Sequence, residues 1–325
     1  MKFVFYTDPK LNWKEKIDQL SEEFPDVEFI LPEKRTDKDI EEAHAMVGMI
    51  PPDHIKMAKK LKMVFVSFTG PNMLPLDEFR EKTIGLSNTH GNARYVAERA
   101  ISLAMSFYGK ILTYDEDLRS ARWHGIWGKG GLQDTWESIQ GKRCVVIGTG
   151  EIGKWIAKFL KVFDCHVTGF KKNPVKRPME YFDEISLDLN SALKKSEIVF
   201  VTLPLTDETE GMFNADILRG MSGKFIVNVG RGGVIDEEAL YYALRDNVLK
   251  GAGIDVWYTY PERGTASGKP SKYPFHELSN VILSPHVGGF VAPASALNLE
   301  QTVENIRSYL KTGRAHFEID LDTKY

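Results

Sequence analysis

The chain has 325 residues, 42% of them hydrophobic and 11% aromatic, which suits about two domains with full cores. A formal charge of −3 gives no electrostatic case for nucleic acid or an anionic membrane surface as a partner. No apolar run approaches the roughly 18 residues of a membrane span, and MKFVFYTD at the start reads as a short strand without a signal-peptide core, so a cytoplasmic protein is expected.

Short apolar strands then alternate with amphipathic helices. Strands are predicted at 2–6, 27–31, 46–50, 63–68 and 83–86, with helical periodicity between them, as at 13–24 and 52–61. This is the pattern of a parallel α/β domain. A long helical pattern at 93–108 follows, then a Trp- and Gly-rich segment at 122–131. A second α/β series starts at Arg143, with strands predicted at 144–147, 166–170, 198–203, 225–229, 251–256 and 281–283 and a last helix at 294–312. Cys144 and Cys165 lie near the first two of these strands and read as small core residues, not as a disulfide framework.

The stretch CVVIGTGEIG, residues 144–153, carries the most chemistry. Gly148, Gly150 and Gly153 fit G-x-G-x-x-G between a buried strand and a helical pattern. In that context the first glycine permits the tight turn and the second lets the backbone approach a pyrophosphate. The third brings helix and strand close, leaving N–H groups at the helix start to hold the anion. Gly148, Gly150, Gly153 and the backbone at Glu151 and Ile152 are therefore expected to hold a dinucleotide. The next strand, HVTGF, ends at Lys171, Lys172 and Asn173, where an NAD-specific site usually has a carboxylate for the ribose 2′-OH. Two ammonium groups attract a 2′-phosphate, so NADP(H) is favoured over NAD(H). A solvated basic turn is the plainer alternative.

Three further segments, TLPLTDETEG at 202–211, VNVGRGGVIDEEAL at 227–240 and ILSPHVGG at 282–289, join the glycine motif and GAGIDVW at 251–257. Together they closely resemble the D-isomer-specific 2-hydroxyacid dehydrogenases. The resemblance is strong from about residue 88 onward and thin before it. It implies a Rossmann-type nucleotide-binding domain at 91–289, inserted into a smaller flavodoxin-like catalytic domain made of 1–90 and 290–325. It also implies a homodimer and a 2-keto or 2-hydroxy acid as the small-molecule partner. No metal is expected.

The residues make chemical sense on this reading. Keto-acid reduction needs a cation for the carboxylate and carbonyl, a hydride donor and a proton donor. Arg231 follows a strand, and its planar fork suits bidentate carboxylate recognition. His286, in SPH-x-GG, titrates near neutral pH and can supply the proton. Thr69 and Gly70, in SFTGPN, match the family loop whose backbone N–H groups hold the substrate carboxylate, although a simple Gly-Pro turn would read the same. Leu203 and Pro204 would flank the adenosine, Asp255 would bind the nicotinamide amide, and Val229 and Gly288 are further expected cofactor contacts.

One position departs from the family. Its third catalytic residue is a Glu before a Pro, five residues after the Asp of the GA-x-x-DV strand, and Tyr260 stands there in DVWYTYPE. A neutral tyrosine can hold the imidazole by a hydrogen bond but supplies no charge. Glu262, beyond Pro261, is the alternative source of that charge. Formate dehydrogenases of the same superfamily carry an uncharged Gln before the Pro and share a DVW strand, and formate oxidation needs no proton acceptor. Against that alternative stand the lysine pair and the lack of that subfamily's extended N-terminal region. A dinucleotide sensor or corepressor without turnover is a further alternative, disfavoured by the retention of Arg231 and His286. Trp123, Trp127, Tyr258, Tyr260 and Tyr273 either line a pocket for a bulky side chain or pack at an interface.

Overall fold

A computed structural model describes residues 1–6, 13–70, 74–174, 177–262 and 264–322. The chain divides into two compact units, Met1–Asn92 with Phe290–Tyr325, and Ala93–Gly289.

The first unit is built on five parallel strands, β1 (Lys2–Tyr6), β2 (Glu28–Ile30), β3 (Ala45–Gly48), β4 (Met63–Phe65) and β5 (Gly85–Ser87). Their order, β2-β1-β3-β4-β5, is that of flavodoxin-like sheets. Side chains alternate across the sheet because strand residues have period two. Phe3 and Phe5 of β1 pack on one face with Trp13 and with Leu299 and Val303 of the C-terminal helix Ala292–Thr312, while Val4 packs on the other with Met46 and Val64. Both faces are covered, as parallel sheets require.

The second unit carries seven parallel strands: β6 (Arg143–Ile147), β7 (His166–Phe170), β8 (Glu184–Ser186), β9 (Ile198–Val201), β10 (Phe225–Asn228), β11 (Gly251–Ile254) and β12 (Val281–Leu283). Their order is β12-β11-β10-β9-β6-β7-β8. From β6 the chain first builds outward through β7 and β8, then crosses to β9 and builds the other way. That reversal creates a switch point between β6 and β9, where doubly wound sheets bind ligands. The apolar stripe of Ala93–Tyr108 (Val96, Ala100, Leu103, Ala104) covers one face, where Phe107 stacks on Phe225 at 4.3 Å between ring centroids. Phe200 of β9 is wholly buried there, a contribution of about 1.5–3 kcal/mol for a side chain of that size. Cys144 and Cys165 are free and buried in the same core.

Several predicted strands overshoot the ladders. The runs at 63–68, 198–203 and 251–256 stay apolar past the last paired residue because the chain remains buried after leaving the sheet: Val66 is 0% exposed and Val256 1%. Burial alone mimics strand patterning there. The polar edge strand β8 and the helix Ile111–Arg119, which has no buried residue, lack the apolar signal that would have marked them.

Candidate active site

The glycine motif forms a turn and helix start at the switch point of the second unit. Gly148 has φ +100°, and a Cβ on Gly153 would stand 2.1 Å from the Gly148 carbonyl oxygen, so neither position takes a side chain without displacement. Gly150 caps the helix Glu151–Val162 without a side-chain hydrogen bond, which leaves the first N–H groups of that helix for a ligand. Thr202, after β9, donates its hydroxyl to the Gly148 carbonyl at 3.0 Å and fixes the facing wall, from which Leu203 and Pro204 continue. These features fit a pyrophosphate.

Lys171, Lys172 and Asn173 follow β7 directly. Lys171 donates its backbone N–H to Ser186 at 3.2 Å, and the Lys172 ammonium meets both oxygens of Glu208 at 2.5 and 2.7 Å. Glu208 lies within the TLPLTDETEG segment, but only the fold brings it to Lys172.

The candidate catalytic groups gather at the carboxyl ends of β10, β11 and β12. Arg231 leaves β10 through a turn braced by buried Asn228, which accepts from the Gly230 N–H at 3.1 Å and donates to the Arg231 carbonyl at 3.0 Å. A Cβ on Gly232 would lie 2.3 Å from the Trp257 carbonyl oxygen, so glycine is required where this turn crosses the β11 loop. Burial draws the Arg231 pKa down and the nearby Tyr260 opposes it, while a guanidinium stays charged at neutral pH.

His286 sits in a left-handed backbone conformation, φ +57°, on the loop after β12. Such a conformation persists in a non-glycine residue only when the surroundings hold it. Asp255 does the holding. Its carboxylate, 2% exposed, accepts from the Ser284 hydroxyl, the Val287 N–H at 3.1 Å and the Gly288 N–H at 2.9 Å. The Trp257 indole N–H adds a bond to the Ser284 carbonyl at 2.8 Å. Asp255 and Gly288, expected as cofactor contacts, thus also build the histidine loop. Ser284 and Asn228 are supporting residues that the sequence reading missed, although both lie inside the motifs it used.

Tyr260 packs its ring against His286, 5.3 Å between centroids at 49°. Its hydroxyl oxygen accepts from the Trp257 N–H at 3.0 Å, and burial raises its pKa, so the phenol stays neutral. Desolvation lowers the His286 pKa below its ordinary 6.5, with the Asp255 carboxylate opposing and the Arg231 charge reinforcing the shift, even though part of the residue is exposed. Among the described residues the histidines ion-paired to carboxylates are His124, His166 and His276, and His286 is not one of them. Glu262 is exposed, and its backbone carbonyl accepts from the Thr265 N–H and hydroxyl.

In the first unit, Thr69 and Gly70 follow β4. The Thr69 hydroxyl donates to Asn92 at 2.8 Å and the Asn88 amide donates to the Thr69 carbonyl at 2.7 Å, which fastens the loop. Val229 is buried behind the Arg231 turn. Of the aromatic residues, Tyr273 stacks on Tyr241 at 5.1 Å and Tyr258 packs on the core, whereas Trp123 and Trp127 are exposed.

A doubly wound sheet, a glycine cradle at its switch point and an Arg/His pair beside it define a dinucleotide-binding oxidoreductase. A model of the D-isomer specific 2-hydroxyacid dehydrogenase NAD-binding domain matches residues 101–288. The chain is 30% identical to hydroxypyruvate reductase of Thermotoga maritima over 78% of its length and 79% of that protein. It is 27% identical to mitochondrial formate dehydrogenase 2 of Oryza sativa, over 78% of its length and 67% of that protein. The structure of a D-isomer specific 2-hydroxyacid dehydrogenase from Xanthobacter autotrophicus in complex with NADPH superposes with a TM-score of 0.78 at 25% identity, covering 100% of this chain and 99% of that one. The chain belongs to the D-isomer specific 2-hydroxyacid dehydrogenases, NAD(P)-dependent oxidoreductases.

Proposed function

We propose that the protein reduces a small 2-keto acid of the glyoxylate or hydroxypyruvate type to the D-2-hydroxy acid with NADP(H). The observation that carries this reading is the pairing of Arg231 with His286, the latter held in a strained conformation by a buried carboxylate. The Arg231 fork takes the substrate carboxylate and polarises the carbonyl. Protonated His286 donates its proton to the forming alkoxide oxygen. Tyr260 shields one face of the imidazole from water, and Asp255 keeps the loop in register while its charge favours imidazolium. Lys171, Lys172 and Asn173 are the proposed 2′-phosphate contacts. The bound nicotinamide supplies the hydride.

The test is NADPH consumption with glyoxylate, hydroxypyruvate and phenylpyruvate. Turnover with at least one is expected; NADPH binding without turnover on any of them would instead support a sensor. Arg231→Ala should raise KM for the keto acid while leaving NADPH affinity nearly intact. His286→Asn should lower kcat by roughly 10²–10⁴-fold, and unchanged reduction would remove it from the mechanism. The neutral residue at 260 and the depressed His286 pKa favour, as a second reading, oxidation of formate, which needs no proton acceptor. Reduction of NAD(P)⁺ by formate, with all three keto acids inert, would select it.

A further inference from the structure

The ion pair at Lys172 is made by two elements that the sheet separates. Lys172 follows β7 and Glu208 lies in the turn after β9, and β6 runs between those strands. The pair therefore crosses the carboxyl end of the strand that delivers Gly148 and Gly150. The turn that carries Glu208 is braced: Thr209 donates its hydroxyl to the Pro204 carbonyl at 2.6 Å, accepts from the Thr206 N–H at 2.8 Å, and the Glu210 N–H closes on the Thr206 carbonyl at 2.9 Å. Glu208 thus presents its carboxylate from a fixed turn.

We propose that Glu208 is a cofactor-selectivity residue, whose carboxylate occupies the Lys172 ammonium and competes with the 2′-phosphate of NADP(H) for it. This inference rests on the reading of Lys172 as a 2′-phosphate contact. A phosphate and a carboxylate seek the same ammonium and repel each other, so binding of the phosphorylated cofactor must loosen the pair, whereas a 2′-hydroxyl makes no such demand. The two side chains are 70% and 66% exposed, and exposed pairs are weak, so Glu208 tunes selectivity without abolishing NADPH binding. A carboxylate inside the turn motif after β9 thereby works against the lysine that follows β7, and holds the enzyme nearer to dual cofactor use than its lysine pair alone would.

The experiment titrates the full chain by calorimetry, at low ionic strength, with 2′,5′-ADP and with 5′-AMP, probes that differ by the 2′-phosphate. Glu208→Gln should tighten 2′,5′-ADP by up to about fivefold and leave 5′-AMP unchanged, and most of that gain should vanish in a Lys172→Gln background. Equal tightening of both probes, or no gain for 2′,5′-ADP, overturns the proposal. Wild type binding both probes equally would overturn the NADP(H) reading instead, and Glu208→Gln creating a preference in that case would still support the role of Glu208.

Discussion

His286 is the residue on which the chemistry turns, and its titration sets the working pH. Its folded pKa lies below 6.5, so reduction, which needs the protonated ring, should decline as pH rises through that lowered value. Oxidation of the hydroxy acid needs neutral imidazole and should persist to lower pH. Tyr260→Glu places a negative charge against the ring, raises its pKa and should carry reduction to more alkaline pH; Glu262→Gln should leave the profile where it is. Rate profiles measured where chemistry limits turnover decide this, and a large acid shift in the Glu262 variant with none in the Tyr260 variant would reverse the assignment. Asp255→Asn removes a carboxylate whose charge raises the His286 pKa, and an amide cannot accept three hydrogen bonds as the carboxylate does. The reduction limit should move further to acid and kcat should fall with it.

At the scale of elements, the helix Glu151–Val162 sits where it does because Gly153 lets it approach β6. Gly153→Ala forces the helix away from the Gly148 carbonyl and should weaken NADPH and NADH together, whereas neutral replacement of Lys171 and Lys172 should weaken NADPH selectively; equal affinities to wild type for Gly153→Ala in dinucleotide titrations would contradict the cradle. A second element-level device fastens the Trp-rich segment. His124 bridges Asp117 at 2.8 Å and Asp134 at 2.5 Å, with Arg122 also on Asp117 and Lys110 on Asp134, and the tilted Tyr114 ring packs against its ring at 4.5 Å between centroids. Its hydrogen bonds to Asp117 and Asp134 raise its pKa, so the stabilisation is full below 6.5 and lost as pH rises through the higher folded value. Fluorescence of Trp123, Trp127 and Trp136 should change across that window and lose the transition in His124→Gln.

For the whole molecule, the exposed residues around that device matter most. Trp127 is 78% exposed, Leu132 82% and Ile126 67%, an exposed apolar set on a chain otherwise rich in surface charge. We propose that it packs against a second copy of the chain, the homodimer that the family resemblance implies. Sedimentation of wild type should give a homodimer, and Trp127→Glu with Leu132→Glu should give a folded monomer; a wild-type monomer would contradict this. Among the described residues no helix is long and apolar enough to cross a membrane.

The glycine motif, the GRGG turn and the SPH-x-GG loop were legible in the residues because each is local: a strand end, a tight turn and a helix start follow one another within about ten residues, and glycine identity reports the close approach. The same is true of the parallel α/β pattern, which needs only periodicity. Other relations lie between segments far apart in the chain. Asp255 reads as a strand-end acid, and its three bonds to the 284–288 loop exist only because β11 and β12 are neighbours. Lys172 reads as a free cation until β7 and β9 flank β6 and bring Glu208 onto it. Tyr260 reads as a missing charge, and the fold shows where its ring lies against His286 and what its hydroxyl accepts instead. Sequence alone determined the fold class and the chemical groups, since these depend on composition and short-range spacing. Tertiary structure decided which charges meet, since Coulomb and hydrogen-bond energies depend on distances that only strand order sets.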